Sequence, residues 1–307
     1  MNPKDQPGIR ILQVNVGRAR RAHDLIYAKA CKLNIDLLIV PEPNKKITTG
    51  GGWIQDEGKN VAVLIKNRNV GVQSIVRGGN HLLIRLRDFS LLACYVSPNI
   101  PMMRYETIVN EIMGAAINEK KILIAGDINA KSRQWGSPIN DKKGELWNEW
   151  IAQAGLQVLN NNKPTFVRGA SQSHIDITFA SEGLSRKVYG WDVLDDQLFT
   201  YHRYIQFEVK VKGGIKRSIG TAKSYFNKNK YLSEVRKINE DEISDLGQLR
   251  TALQNAAKLA TEKKKHGKKS PYWWTDEIED LRERCLRARR NYTRSQATSS
   301  LKIHTRI

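Results

Sequence analysis

The feature that most constrains this chain is an aliphatic run ending on a carboxylate: Ile122-Leu123-Ile124-Ala125 leads through Gly126 to Asp127, with Lys120-Lys121 before it and Ile128-Asn129 after. A short apolar run bounded by charge and glycine is too brief for a useful helix and suits a fully buried strand. Asp127 then stands where the strand leaves its sheet, with rigid backbone behind it and a loop opening ahead. An aspartate in that place is commonly a turn former. It can equally take a proton or hold a cation, and Asn129, two residues on, projects to the same side of an extended chain.

Strand-like and helix-like segments alternate up to Gly213-Gly214. Residues 9–16 read as a strand closing on Asn15 and Gly17, and residues 22–33 as a helix. Residues 35–40 are a second buried strand, stopped by Pro41-Glu42-Pro43, where the prolines hold Glu42 extended or turned just past the strand end. Residues 61–65, 81–86 and 91–96 read as neighbouring strands of a meander, with Tyr95 near the end of the last. Tyr105, Ile108, Val109, Ile112, Met113 and Ala116 recur at helical spacing, and a further helix covers about 144–154, with Gly155 as its cap and Trp147 and Trp150 as packing residues. Residues 173–179 alternate as a strand should, which puts His174, Asp176 and Thr178 on one face. Residues 188–194 and 204–211 supply more strands, with His202 just ahead of the last. Strands, hairpins and helices mixed in this order predict an α/β sandwich with mixed sheets rather than a doubly wound fold.

At 307 residues the chain can bury a substantial core. No run approaches the roughly 18 apolar residues of a membrane span, and Met1-Asn2-Pro3-Lys4-Asp5 lacks the apolar core of a signal peptide, so no membrane partner is expected. Cys31, Cys94 and Cys285 are too far apart for a disulfide framework or a metal-binding set, and read as reduced thiols of an intracellular protein. The 51 Lys and Arg against 31 Asp and Glu give a net charge of +20, which favours a polyanion as partner, nucleic acid first. Of that excess, +11 falls after residue 212, where strands give way to two helical patterns, around 231–259 and 275–292, separated by the basic run Lys263-Lys264-Lys265-His266-Gly267-Lys268-Lys269.

Asn15, Glu42, Tyr95, Asp127, Asn129, Asp176 and His202 all fall at or near strand ends. Polar groups gathered at one edge of two packed sheets do not serve folding, since each must be desolvated or hydrogen-bonded. They suit phosphate ester hydrolysis, in which one carboxylate holds a hard divalent cation, a second activates water, and a histidine offsets charge on the phosphoryl oxygens.

Gln13-Val14-Asn15-Val16, Val40-Pro41-Glu42-Pro43, Ala93-Cys94-Tyr95-Val96-Ser97-Pro98-Asn99, Ala125-Gly126-Asp127-Ile128-Asn129 and Ser173-His174-Ile175-Asp176-Ile177-Thr178 together resemble the ordered blocks of the endonuclease/exonuclease/phosphatase superfamily. The likeness is to the apurinic-like endonuclease domain of R1-type non-LTR retrotransposon polyproteins, over residues 8–212. It implies a four-layer αββα sandwich of two packed mixed sheets (DNase I-like, α+β or α/β in class), followed by a basic helical tail at 213–307. Ser270-Pro271-Tyr272-Trp273-Trp274 is similar to the segment that joins such a nuclease to a reverse transcriptase. The chain is therefore expected to be a fragment of a longer polyprotein acting in the nucleus.

By that resemblance Glu42 holds the metal, Mg²⁺ with Mn²⁺ as substitute, and Asp127 orients or deprotonates the attacking water. Asn15 and Asn129 position phosphate, water or metal, and Tyr95 lies near the scissile phosphate. Asp176 pairs with His202, and Thr165 lies close to bound DNA. The implied substrate is double-stranded DNA, with element RNA as a further partner of the tail, and the implied product is a nick with a 3′-hydroxyl that primes reverse transcription. One position departs from the pattern. The family usually ends on Ser-Asp-His, whereas this chain reads Thr200-Tyr201-His202, with Asp195 and Asp196 a few residues upstream. Weakened metal-dependent nicking is the consequence expected. A catalytically inactive nucleic-acid-binding module and a small-molecule phosphatase on the same fold are the alternatives.

Overall fold

A computed structural model describes residues 8–50, 52–197, 200–215, 224–226, 228–238, 246–263 and isolated helical positions between 277 and 291. The elements in chain order are β1 (Ile9–Gln13), α1 (Arg20–Lys32), β2 (Leu37–Pro41), β3 (Trp53–Gln55), β4 (Val61–Ile65), β5 (Val72–Arg77), β6 (His81–Leu86), β7 (Ser90–Tyr95) and α2 (Met102–Ala116). They continue with β8 (Ile122–Asp127), α3 (Lys142–Gln153), β9 (Leu156–Val158), β10 (Phe166–Arg168), β11 (Ser171–Ser173), β12 (Asp176–Ser181), α4 (Glu182–Ser185), β13 (Val188–Gln197) and β14 (Arg203–Val209).

Two six-stranded sheets result, one in the order β13-β14-β1-β2-β4-β3 and the other in the order β5-β6-β7-β8-β12-β9. Each is mixed: β1 pairs parallel with β2 and antiparallel with β14, and β7 pairs parallel with β8 and antiparallel with β6. The two-residue period of a strand assigns the side chains to layers. Ile9 and Ile11 of β1, Leu37 and Ile39 of β2, Leu91 and Ala93 of β7, and Leu123 and Ala125 of β8 share one buried cluster between the sheets. Their alternates on β1 and β2, Leu12, Leu38 and Val40, pack with Ala22, Ile26 and Ala30 of α1. Leu92, Cys94, Ile122 and Ile124 pack with α2 and α3 on the far side. Helix, sheet, sheet and helix thus form the expected four-layer αββα sandwich.

The helical spacing read in α2 holds, with Tyr105, Ile108, Val109, Ile112, Met113 and Ala116 all buried. α3 begins where the Asp141 carboxylate accepts from the Gly144 N–H at 2.7 Å, an ordinary N-cap, and it buries Trp147 and Ile151. Trp150 packs at the margin of the same cluster.

Three expectations are corrected. β4 does not neighbour β6 and β7 but lies in the opposite sheet, next to β2. The strand expected over 173–179 is two elements: β11 pairs with β10 in a separate two-stranded hairpin, and β12 starts only at Asp176. His174 lies between them with its Nε2 3.0 Å from the Asn162 carbonyl oxygen, so it does not share a strand face with Asp176. Finally, strands do not end at Gly214. Ser218–Lys269 form a compact unit in which β15 (Ser224–Phe226) pairs antiparallel with β16 (Thr261–Lys263), and α5 (Lys228–Val235) and α6 (Leu246–Ala260) account for the first helical pattern. Residues 264–274, with most of the basic run and the tryptophan pair, lie outside the described residues. Among the described residues no helix is long and apolar enough to cross a membrane.

Candidate active site

The alternation that builds the core also builds the site. On β8 the inward set Leu123, Ala125 continues to Asp127, and on β7 the set Leu91, Ala93 continues to Tyr95. Register places Tyr95 and Asp176 directly opposite Asp127 on its two neighbouring strands. On the facing sheet, Ile9 and Ile11 are followed at the same parity by Gln13 and Asn15. Glu42 follows β2, and His202 precedes β14. Strand ends of both sheets therefore deliver their polar residues to one rim.

The contacts are direct. Asn15 donates from Nδ2 to Asp127 Oδ2 at 2.8 Å and to Glu42 Oε2 at 3.0 Å, so a single amide ties the two carboxylates across the gap between sheets. Its Oδ1 accepts from the Gly17 N–H at 2.7 Å, which fixes the orientation of the amide. In this arrangement Asn15 is a donor that sets the carboxylate spacing. Asn129 donates its backbone N–H to Asp127 Oδ1 at 3.2 Å and its Nδ2 to the Val96 carbonyl at 3.0 Å. His202 donates from Nδ1 to Asp176, 2.9 Å from Oδ2 and 3.2 Å from Oδ1, and turns Nε2 toward Asp127 Oδ2 at 3.8 Å. A carboxylate only accepts, so Nδ1 carries the proton.

Backbone strain gathers at the same rim. Glu42 (φ 46°) and Asn129 (φ 49°) are left-handed without being glycine, as is Arg18 (φ 60°). Glu42 is pinned on both sides: its N–H donates to the Asn60 carbonyl, and its carbonyl accepts from the Arg18 N–H, each at 2.8 Å. Arg18 Nε also lies 3.8 Å from Glu42 Oε1. Behind Asn129, Trp147 Nε1 donates to the Tyr105 hydroxyl at 2.9 Å, and that hydroxyl donates to the Ile128 carbonyl at 2.6 Å. Neither Arg18 nor Tyr105 stands out as a site residue in the sequence. Tyr105 looks like any apolar position of α2, and the role of Arg18 depends on a backbone turn that sequence does not specify.

Burial pushes Asp127 up to about 7, with the Asp176 charge adding to the rise and His202, Asn15 and the Asn129 N–H opposing it. Burial would lower His202, but the Asp176 charge and hydrogen bond, with Asp127 and Glu42 beyond, outweigh it and raise the imidazole to about 9. His202 is therefore a cation at neutral pH. Tyr95 is raised by burial and by the Glu42 and Asp127 charges, so it keeps its phenolic proton.

Two other positions make contacts that the sequence does not give. Thr165 is fully buried, and its hydroxyl oxygen accepts from the Asp176 N–H at 3.1 Å, so it braces Asp176 from behind. Tyr201 is 44% exposed and turns to the β10–β11 hairpin, 5.8 Å from the Phe166 ring and with the Arg168 guanidinium 5.3 Å above it. Asp195 is exposed.

The donor set fits a hard divalent cation. Glu42 and Asp127 are bridged by the Asn15 amide, and Asp127 and Asp176 flank His202. Asp127, Asp176 and His202 each bring a ligand atom to within 4.8 Å of the others. A protonated His202 is a counter-charge rather than a ligand, which leaves carboxylate oxygens as the holders, in keeping with magnesium or manganese.

Residues 89–206 match the model of a family described as endonuclease-reverse transcriptase, a span that includes Tyr95, Asp127, Asn129, Thr165, Asp176 and His202. Nothing among the curated proteins matches the chain. Among solved structures, the endonuclease domain of TRAS1, a telomere-specific non-LTR retrotransposon, is similar in fold, with a TM-score of 0.58 and 24% identity over 67% of this chain and 100% of that one. The family match takes in three of the five motif blocks, those at 93–99, 125–129 and 173–178, and the shared fold agrees with the resemblance.

Proposed function

We propose that this chain, endonuclease-like in family match and fold, is a metal-dependent phosphodiesterase that nicks double-stranded DNA and leaves a 3′-hydroxyl able to prime reverse transcription. The supporting observation is the linked set Asp176, His202, Asp127, Asn15 and Glu42 at the rim of both sheets. Asp127, poised by burial near neutrality, takes the proton of the attacking water. The Asn129 N–H and Asn15 amide hold that carboxylate in place. His202, cationic and oriented by Asp176, stabilises charge gathering on the phosphoryl oxygens, and Tyr95 adds a neutral hydroxyl donor. Water oxygen bonds to phosphorus as its proton passes to Asp127, the bond to the 3′ oxygen breaks, and that oxygen takes a proton from solvent water to leave as the 3′-hydroxyl. A Mg²⁺ held by Glu42 would supply further neutralisation of the phosphate.

The net charge of +20 supports a polyanionic substrate over a small phosphate ester. Action on chromosomal DNA in the nucleus, and contact of the basic tail with element RNA, belong to the same proposal. Supercoiled plasmid incubated with Mg²⁺ should convert to open circles whose ends a polymerase extends, and a chelator should stop the conversion. No conversion at any Mg²⁺ or Mn²⁺ concentration would favour the inactive binding module. Hydrolysis of soluble inositol phosphates with plasmid left intact would favour the phosphatase.

A further inference from the structure

Gln13 is fully buried, on the inward-facing parity of β1 between apolar Ile11 and the site amide Asn15. Its Nε2 donates across the sandwich to the Gly126 carbonyl at 3.1 Å, the residue immediately before Asp127. Only the amide nitrogen can donate to a carbonyl, so the orientation is fixed by chemistry and Oε1 faces the other way. That oxygen has no hydrogen-bond partner among the described residues. An orphaned acceptor in a core otherwise made of apolar and aromatic side chains is a cost to folding. A methionine of the same length would fill the space without it.

We infer that Gln13 is a positioning residue, a cross-sheet strut that holds the Gly126 carbonyl and so keeps Asp127 in register with Asn15. Most contacts between the sheets are apolar and set no register at Asp127, and directed ones such as Trp191 Nε1 to Thr178 Oγ1 at 2.9 Å lie on other strands. A directed hydrogen bond just below the Asn15–Asp127 pair sets that register. Gly126 sits opposite Cys94 in the β7–β8 ladder, so close that a Cβ would come within 2.0 Å of the Cys94 carbonyl oxygen, and Gln13 therefore grips a point of the second sheet that is paired to its neighbouring strand. The inference rests on the nicking activity proposed above.

The test is Gln13→Met in the full chain, read by thermal unfolding and by nicking kinetics on a plasmid that the unsubstituted protein cleaves. The expected result is a melting temperature equal to or above that of the parent, KM for DNA within about twofold, and kcat lower by about 10- to 100-fold, the scale of a small misplacement of reacting groups. An unchanged kcat would overturn the inference. So would a fall in melting temperature, because the amide would then serve stability. Gln13→Asn keeps an amide but is one methylene short of Gly126, and should lose kcat as the methionine variant does; retention of full activity would equally overturn it. If the parent protein cleaves nothing, the proposed function fails, while the stability comparison still reports on Gln13.

Discussion

Asp176 holds the His202 imidazole by its Nδ1 with both carboxylate oxygens, at 2.9 and 3.2 Å, in a pocket where neither residue meets solvent freely. The pairing sets tautomer, orientation and charge together. Asp176→Asn would keep the shape but present an amide in place of the carboxylate, so kcat should fall by roughly 10²- to 10⁴-fold with little change in DNA binding. Single-turnover nicking beside a filter-binding isotherm separates the two. Loss of binding in proportion to rate would remove Asp176 from the chemistry.

The same pair sets an alkaline limit. His202 is raised from 6.5 to about 9, so its charged form, and any rate that needs it, persists below about 9 and declines as pH rises through that value. Its stabilising contribution to the fold is complete below about 6.5 and is likewise lost as pH climbs through 9. In Asp176→Asn the alkaline limb should move toward neutral pH. A pH–rate profile with an unshifted limb would assign it to another group.

His23 gives a pH dependence of stability away from the site. Its Nε2 accepts from the Asn44 N–H at 2.8 Å, and burial depresses it to about 4. The unfolded chain takes up this proton near 6.5 while the folded chain resists it, so stability should drop as pH falls from about 6.5 toward 4, by up to about 3 kcal/mol. His23→Gln keeps an acceptor for Asn44 and should flatten that slope in chemical denaturation series. A slope that persists in the variant would place the titration elsewhere.

Position 201 tests metal affinity. Tyr201 leans on Phe166 and Arg168 where relatives of this fold are expected to carry a carboxylate. Tyr201→Asp should lower the Mg²⁺ concentration for half-maximal nicking by about tenfold, the scale of a group acting through the metal's outer shell. An unchanged Mg²⁺ titration would show that this position does not tune the metal.

Gly126 cannot accept a side chain, since a methyl carbon placed on it would lie 2.0 Å from the Cys94 carbonyl oxygen. Gly126→Ala should cost about 1–3 kcal/mol of stability, measured as a lower denaturation midpoint. It should also cut nicking more than the stability loss explains, because β8 carries Asp127 on the next residue.

Much of this was legible in the sequence because the strands concerned are buried and alternate. Asp127 is readable at the end of its strand, since an apolar run that breaks into a carboxylate marks where the chain passes from core to rim, whereas Asp176 opens a strand that the sequence pattern begins three residues too early. β5, mostly exposed and without clean alternation, and β3, only Trp53–Gln55, left no such trace. The misplacement of β4 has a different origin: sequence neighbours usually pair, and nothing local tells a chain that it has crossed to the second sheet. His174 alternated correctly but left the ladder, because the β10–β11 hairpin peels away before β12 begins. The sequence marks Asn15 as a site residue but not the direction of its amide, which depends on the Gly17 N–H taking its oxygen.

Core and rim are written in a single odd-and-even code, and this limits how such a chain can change. Deleting one residue ahead of Asn15 in β1, or of Asp127 in β8, would rotate the polar group to the helix side and bring an aliphatic side chain to the place where water must attack. Length changes within these strands are tolerable only in pairs, so divergence is channelled into the hairpin and the connecting loops, where a residue can be gained without reversing a face.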